Sequence, residues 1–206
     1  MKDWKPDHPK AKLMTEKRAV ILAAARQSFL RYGYEGTSME SIASLSGISI
    51  MTLYRHASNK DDLFSTVVSV ACSEEEKSEL MKLTVQSLSE NLIAAAMVIQ
   101  QKLIDPQTIA LLRAVIGEVV RFPHLADMAY RSLVGHFEIM VEKLLSEHAE
   151  SESLSNAMRK ELSSAFVSQL VSVDVFKALL GLPAPSPGEQ HHHAELARDK
   201  VLATMK

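Results

Sequence analysis

Cysteine occurs once in these 206 residues, at Cys72, so an intrachain disulfide framework is excluded. Aromatic residues make up only 5% of the chain. No apolar run is long enough to cross a bilayer, and the lysine-rich stretch from Met1 to Lys12 has no apolar centre of the kind a secretory leader needs. The plain expectation is a cytoplasmic protein that does not engage membranes. Catalytic signatures are equally scarce. There is no nucleophile elbow, no glycine-rich phosphate loop and no His-Glu-x-x-His metal spacing, which argues against an enzyme and against a cofactor. The tract His191-His-His193 points its rings in different directions on a helix, and only Glu195 follows His191 by one turn. At most two ligands then line up, short of a metal site. The acidic neighbours of Cys72 raise a thiol pKa rather than lower it, which weakens any redox role.

Alternation of apolar and polar residues, the mark of a half-buried strand, is also missing. What remains is helical periodicity throughout, so the expected fold is all-α. Net charge is only −2, but it is unevenly spread: residues 1–60 carry ten Lys/Arg against five Asp/Glu, and the rest carries thirteen against twenty. A basic head on an acidic body is the distribution of a chain that meets nucleic acid at one end.

Residues 1–14 read as a basic flexible arm containing Trp4. From Thr15 a helix runs with Ile21, Ala24, Ala25, Phe29 and Tyr32 on one face, and Gly33 stops it. Thr37 with Glu40 has capping-box spacing for a second helix. Gly47 ends that helix, and Ser49 caps a third over Ile50–Ala57. Ser58 or Asn59 caps a fourth, whose first turn holds Asp61 and Asp62 and which leads into Glu74–Glu76. Further helices are expected at about Ser89–Ile104, Pro106–Arg121, His124–His148, Leu154–Leu182 and Gln190–Lys206, with a proline-rich connector at 181–188.

Two short helices around a glycine turn can place the second in a DNA major groove. Small Ala43 allows close packing, while Ile48 and Leu53 anchor the second helix. Ser49, Ile50, Met51, Thr52, Tyr54, Arg55 and His56 are then left to face DNA. Thr37, Ser38, Tyr54, His56 and Lys60 surround that helix with phosphate-positioning donors. The string Ile21-Leu-Ala-Ala-Ala, Phe29, Gly33-Tyr34, Thr37-Ser-Met, Ile42-Ala43, Gly47-Ile-Ser49, Thr52-Leu-Tyr-Arg-His56 and Lys60-Asp-Asp-Leu-Phe64 resembles the TetR family of bacterial transcriptional regulators. The resemblance implies a three-helix DNA-binding domain over residues 15–75, with its helix-turn-helix at 38–57. It also implies a helical domain at 76–206 that dimerises and binds a small ligand. By that resemblance Thr37, Tyr54, His56 and Lys60 fall on usual phosphate contacts and Ser49 to Thr52 on usual base readers. The family commonly has Phe where this chain has Ala57. Ile50 and Met51 are unusually apolar for their positions, which points readout toward thymine methyl groups.

Leu111 to Asp127 resembles the central segment of AefR-like carboxyl-terminal domains, which implies a ligand chamber between the middle helices. Met97, Gln101, Leu111, Val115, Glu118, Phe122, Tyr130, Phe137 and Phe166 are the candidate lining, and such a set would suit a largely apolar effector. Taken singly, each apolar member fits a bundle core as well. A stripe from Leu162 through Phe166, Leu170, Val173 and Phe176, with Leu196, Val201 and Leu202, fits either a homodimer interface or that same core. The expected function is a ligand-responsive homodimeric repressor acting on a double-stranded operator. The alternative is a helical adaptor that binds a protein partner through its acidic body.

Overall fold

The computed structural model of the chain describes residues 9–73 and 87–205. The arm around Trp4 and the acidic run Glu74–Glu76 lie outside the described residues. Every regular element among the described residues is helical: α1 Pro9–Tyr32, α2 Met39–Ser46, α3 Ile50–His56, α4 Lys60–Ser73, α5 Leu88–Leu103, α6 Pro106–Glu118, α7 His124–Tyr130, α8 His136–Glu147, α9 Asn156–Leu170, α10 Val173–Leu179 and α11 Pro187–Thr204. A π turn, Arg131–Gly135, joins α7 to α8, and a 3-10 turn, Ala149–Ser151, precedes α9.

Local chemistry sets most boundaries. Ser87 with Glu90 and Ser186 with Glu189 form capping boxes that start α5 and α11, and Asp105 caps α6 ahead of Pro106. Several boundaries differ from the sequence-based expectation. The first helix begins at Pro9 rather than Thr15, since proline is at home in a first helical turn. The cap of α2 is Ser38, whose partner three residues on is Ser41 rather than the expected Thr37–Glu40 pair. The single helix expected over 154–182 is two, bent by 48° where Ser172 caps α10. The run 124–148 is interrupted by the π turn at Gly135. No single helix among the described residues is long and apolar enough to cross a membrane.

Two apolar cores result. The first joins α1–α4 through Ile21, Phe29, Ile42, Leu53 and Phe64, and it extends into the body through Leu111 and Val115 of α6 and Leu125 and Ala129 of α7. The second joins α5, α8, α9, α10 and α11 around Leu92, Ile99, Phe137, Phe166 and Val201. Helix α6 therefore contributes to both, with Ile109 in the second core. Leu162, Phe166 and Leu170 are buried within the body, so that half of the expected dimer stripe is core; Val173, Phe176 and Leu196 remain exposed.

Candidate nucleic-acid interface

Helix α3 has only seven residues, too short to hold itself together in water. Three local features hold it. Gly47 takes a left-handed φ of +67° and returns its N–H to the carbonyls of Ala43 and Ser44. The Ser49 hydroxyl caps the helix, accepting from the Thr52 N–H at 3.2 Å. Leu53, 0% exposed, drives into the first core, with Ile48 and Ile50 packed beside it. Burying a leucine side chain stabilises by roughly 1.5–3 kcal/mol, which for one short turn of helix decides its placement. Ala57 is buried at the end of α3, in the same core as the rings of Phe29, Tyr34 and Phe64. The Phe29 and Phe64 rings meet edge to face at 4.9 Å.

With Leu53 inward, the opposite face is presented to solvent. Met51 is 68% exposed and Tyr54 48%, and Ser49 and Arg55 lie open beside them. Thr52 is half-buried, its hydroxyl 2.9 Å from that of Ser49. Ile50 is half-buried against the first core rather than free on the reading face, because its position on α3 shares the side taken by Leu53.

Three of the expected phosphate donors behave differently. Thr37 is 2% exposed; its hydroxyl donates to the Gly33 carbonyl at 2.8 Å and lies 3.1 Å from the Ser28 hydroxyl. It locks the turn after α1 and offers DNA no side-chain donor. Lys60 turns inward as well. Its ammonium donates to the Tyr34 and Thr37 carbonyls at 2.8 and 3.1 Å and sits 4.2 Å from the centre of the Tyr34 ring. Burial lowers its pKa, while Glu35 and Glu118 pull the other way. Ser38 is exposed, but its hydroxyl is committed to the α2 cap.

His56 is half-buried, and its pKa is held below the usual 6.5 by burial first and then by Arg18 and Lys17. The ring is therefore neutral at neutral pH and can donate one hydrogen bond without a charge. Two residues that the sequence analysis did not single out, Lys17 and Arg18 of α1, are exposed and near enough to His56 for their charges to act on it. Their signal was available in the basic excess of the first sixty residues, but the helical register alone did not assign them a neighbour.

The head meets the body through polar and aromatic contacts. Arg121 forms a two-pronged ion pair with Glu35, and His124 Nε2 lies 3.3 Å from Asp61, which also accepts from the Tyr34 hydroxyl. Phe122 stacks edgewise on Tyr34 at 5.2 Å. The Ser65 hydroxyl on α4 is 3.1 Å from that of Ser132 in the π turn.

Most of the residues expected to line a ligand chamber do not share one cavity. A narrow apolar cavity is lined by Val68, Thr108, Leu111, Leu112, Val115, Ala129 and Leu133. Leu111 and Val115 were expected there. Met97, Phe137 and Phe166 belong to the second core instead. Phe122 and Glu118 lie at the head–body joint, the Glu118 carboxylate against Gly33. Tyr130 is exposed at the end of α7, and Gln101 faces solvent because the buried amide on α5 is the neighbouring Gln100, which donates to the Gln190 carbonyl at 2.9 Å. Among the described residues no three His, Cys, Asp or Glu side chains converge as a metal site. His193 is instead 3.2 Å from Asp174, and His191 3.8 Å from Glu195.

Two family models match this chain. Residues 21–67 match bacterial regulatory proteins of the tetR family, and residues 90–204 match the C-terminal domain of AefR-like transcriptional repressors. A relative from Bacillus subtilis (strain 168), the uncharacterised HTH-type transcriptional regulator YhgD, is 32% identical over 59 residues, a match spanning 29% of this chain and 31% of that one. A TetR-family structure from Mesorhizobium loti MAFF303099 shares the fold at 24% identity and a TM-score of 0.69, covering 92% of this chain and 96% of its own. The flavonoid-responsive regulator FrrA is 26% identical with a TM-score of 0.67, over 92% of this chain and 97% of that one. With a capped recognition helix at one end and an AefR-like domain over more than half its length, the chain belongs to the TetR family of bacterial regulatory proteins and is a DNA-binding transcriptional regulator.

Proposed function

We propose that the protein is a homodimeric repressor whose two α3 helices enter successive major grooves of one operator and whose body releases or restores them on binding a small apolar effector. The observation that carries this reading is the exposed face of α3, Ser49, Met51, Tyr54 and Arg55, on a helix fixed from behind by Leu53. Met51 at the tip favours contact with thymine methyl groups, and Tyr54 and Arg55 suit phosphate or base-edge donors. Lys17 and Arg18 extend the positive surface along α1.

Pairing is supported by an apolar face on α10. Val173, Phe176 and Leu180 follow at helical spacing and are all exposed, with Val171 and Leu182 continuing the patch. A second copy covering that face would form a self-complementary two-fold interface. Half-sites one helical turn apart then fix the head spacing, so a small tilt of α4 costs contacts on both sides. Effector responsiveness is also supported by the flavonoid response of FrrA.

The test is fluorescence anisotropy against the DNA upstream of its own gene and against a genomic fragment library. Sequence-selective binding whose affinity falls steeply with salt, by a complex of two chains per site, is expected. Failure to select any fragment, or selection by a monomer, would overturn the proposal.

A further inference from the structure

The reading face of α3 ends in an apolar side chain that neither core uses. Met51 is 68% exposed, the highest value of any methionine among the described residues; Met14 follows at 43% and Met158 at 36%. Met39 is buried, Met128 packs against the first core, and Met97, Met140 and Met205 pack against the second. A leucine at position 51 would offer thymine methyl groups the same apolar contact. What methionine adds there is a thioether sulfur, polarisable, open to solvent and oxidisable.

The surroundings confine any change at that sulfur to the reading face. Ile50, the other apolar residue at the start of α3, is half-buried against the first core, and the hydroxyls of Ser49 and Thr52 lie 2.9 Å apart, engaged with each other. Leu53 holds the helix from the opposite side and is fully buried. Converting Met51 to its sulfoxide therefore replaces the apolar tip of the helix with a polar one and breaks no core contact. The oxygen gained is an acceptor without a proton. In the major groove the thymine methyl is apolar, and thymine O4 and guanine N7 and O6 are acceptors themselves. Only the amino groups of adenine and cytosine can donate to it.

We infer that Met51 is an oxidation site through which a peroxide switches off DNA reading and a methionine sulfoxide reductase restores it. The inference rests on the operator-reading role given to α3 above and adds a means of regulating it that needs no effector in the body. A sulfur lone pair attacks one peroxide oxygen, the O–O bond breaks and the S–O bond forms. The departing hydroxide takes the proton from the new S–OH group and leaves as water. Sulfur loses two electrons and the peroxide gains them. The reductase returns the oxygen as water while a dithiol becomes a disulfide.

The full chain tests this with hydrogen peroxide as the oxidant. Peptide mass spectrometry follows the gain of oxygen at each methionine, and fluorescence anisotropy follows affinity for a DNA fragment selected by the untreated protein. Met51 should oxidise ahead of the other methionines among the described residues. Its full conversion should weaken binding roughly tenfold or more, since an apolar contact is lost and an acceptor is turned toward acceptors. The circular dichroism spectrum and Tm should not change, and reductase with dithiothreitol should restore the affinity. Met51→Leu should bind like the wild type before treatment and keep its affinity in peroxide, which separates Met51 from Cys72 and from the remaining methionines. Met51→Gln should bind weakly without any oxidant. Undiminished binding at full Met51 conversion would overturn the inference. So would Met51→Leu failing to bind before treatment, or losing as much affinity in peroxide as the wild type does, or Met51 oxidising later than the buried Met39. Untreated wild type that selects no fragment would instead refute the operator-reading role itself, whatever the order of oxidation.

Discussion

Lys60 offers the sharpest separation between a residue that touches DNA and one that builds the surface touching it. Its ammonium serves two backbone carbonyls at 2.8 and 3.1 Å and the Tyr34 ring at 4.2 Å. Replacing it by methionine keeps most of the stem and removes all three interactions. Hydrogen bonds from a charged donor contribute about 1.5–3 kcal/mol each, and a cation over an aromatic ring about 0.5–1 kcal/mol at an exposed site. Taking the ammonium out of water offsets a large part of this, as the lowered pKa indicates. A net loss of about 2 kcal/mol follows for Lys60→Met. In a chain of this size that lowers Tm by about 4–8 °C. Scanning calorimetry reads the stability, and anisotropy across a salt series reads the DNA contact. A lost phosphate contact would flatten the logarithmic salt slope by about 0.9, whereas a lost loop clamp leaves it nearly unchanged. An unaltered Tm together with a slope flattened by about one contact would refute the clamp and restore Lys60 to the phosphate backbone.

Other substitutions separate backbone, core and titration effects. A Cβ at Gly47 meets nothing within 4 Å, so Gly47→Ala should cost only the left-handed backbone penalty, about 1–2 kcal/mol by chemical denaturation; no loss would mean the turn can re-form with another geometry. Leu53→Ala should destabilise by about 2–5 kcal/mol and speed amide exchange across Thr52–His56 before the body responds; uniform exchange would refute an independent anchoring role. His56 has a folded-state pKa below 6.5, so the folded head binds fewer protons than the unfolded chain in mild acid. Its contribution is complete above that pH and is lost as pH falls. His56→Gln should therefore flatten the stability profile as pH falls below about 6.5, and an unchanged slope there would assign the acid loss elsewhere.

What the sequence revealed and what it hid follow from the range of the interactions. The glycine turn, the Ser49 cap and the inward Leu53 were legible because each is decided within a few residues, by φ at Gly47 or by the 3.6-residue period. The settings of Thr37 and Lys60 were hidden for the opposite reason. They lie 23 positions apart, and only folding brings the lysine ammonium onto the Tyr34 and Thr37 carbonyls. The same holds for the cavity. Leu111 and Val115 were among the expected lining residues, but only folding brings Val68 and Leu133 to the same cavity. Phe166 could have faced a partner, a ligand or the core; helical spacing is identical in all three cases, and packing against α5 and α8 chose the core.

The most direct test of the account is the methyl resonance of Met51, recorded as a selected DNA fragment is added to the intact protein, with Met97 as the internal reference. Met51 projects from the tip of α3, whereas Met97 packs against the second core. The account predicts that Met51 shifts and broadens in step with complex formation, well ahead of Met97. A saturated complex in which Met51 keeps its free resonance would contradict it.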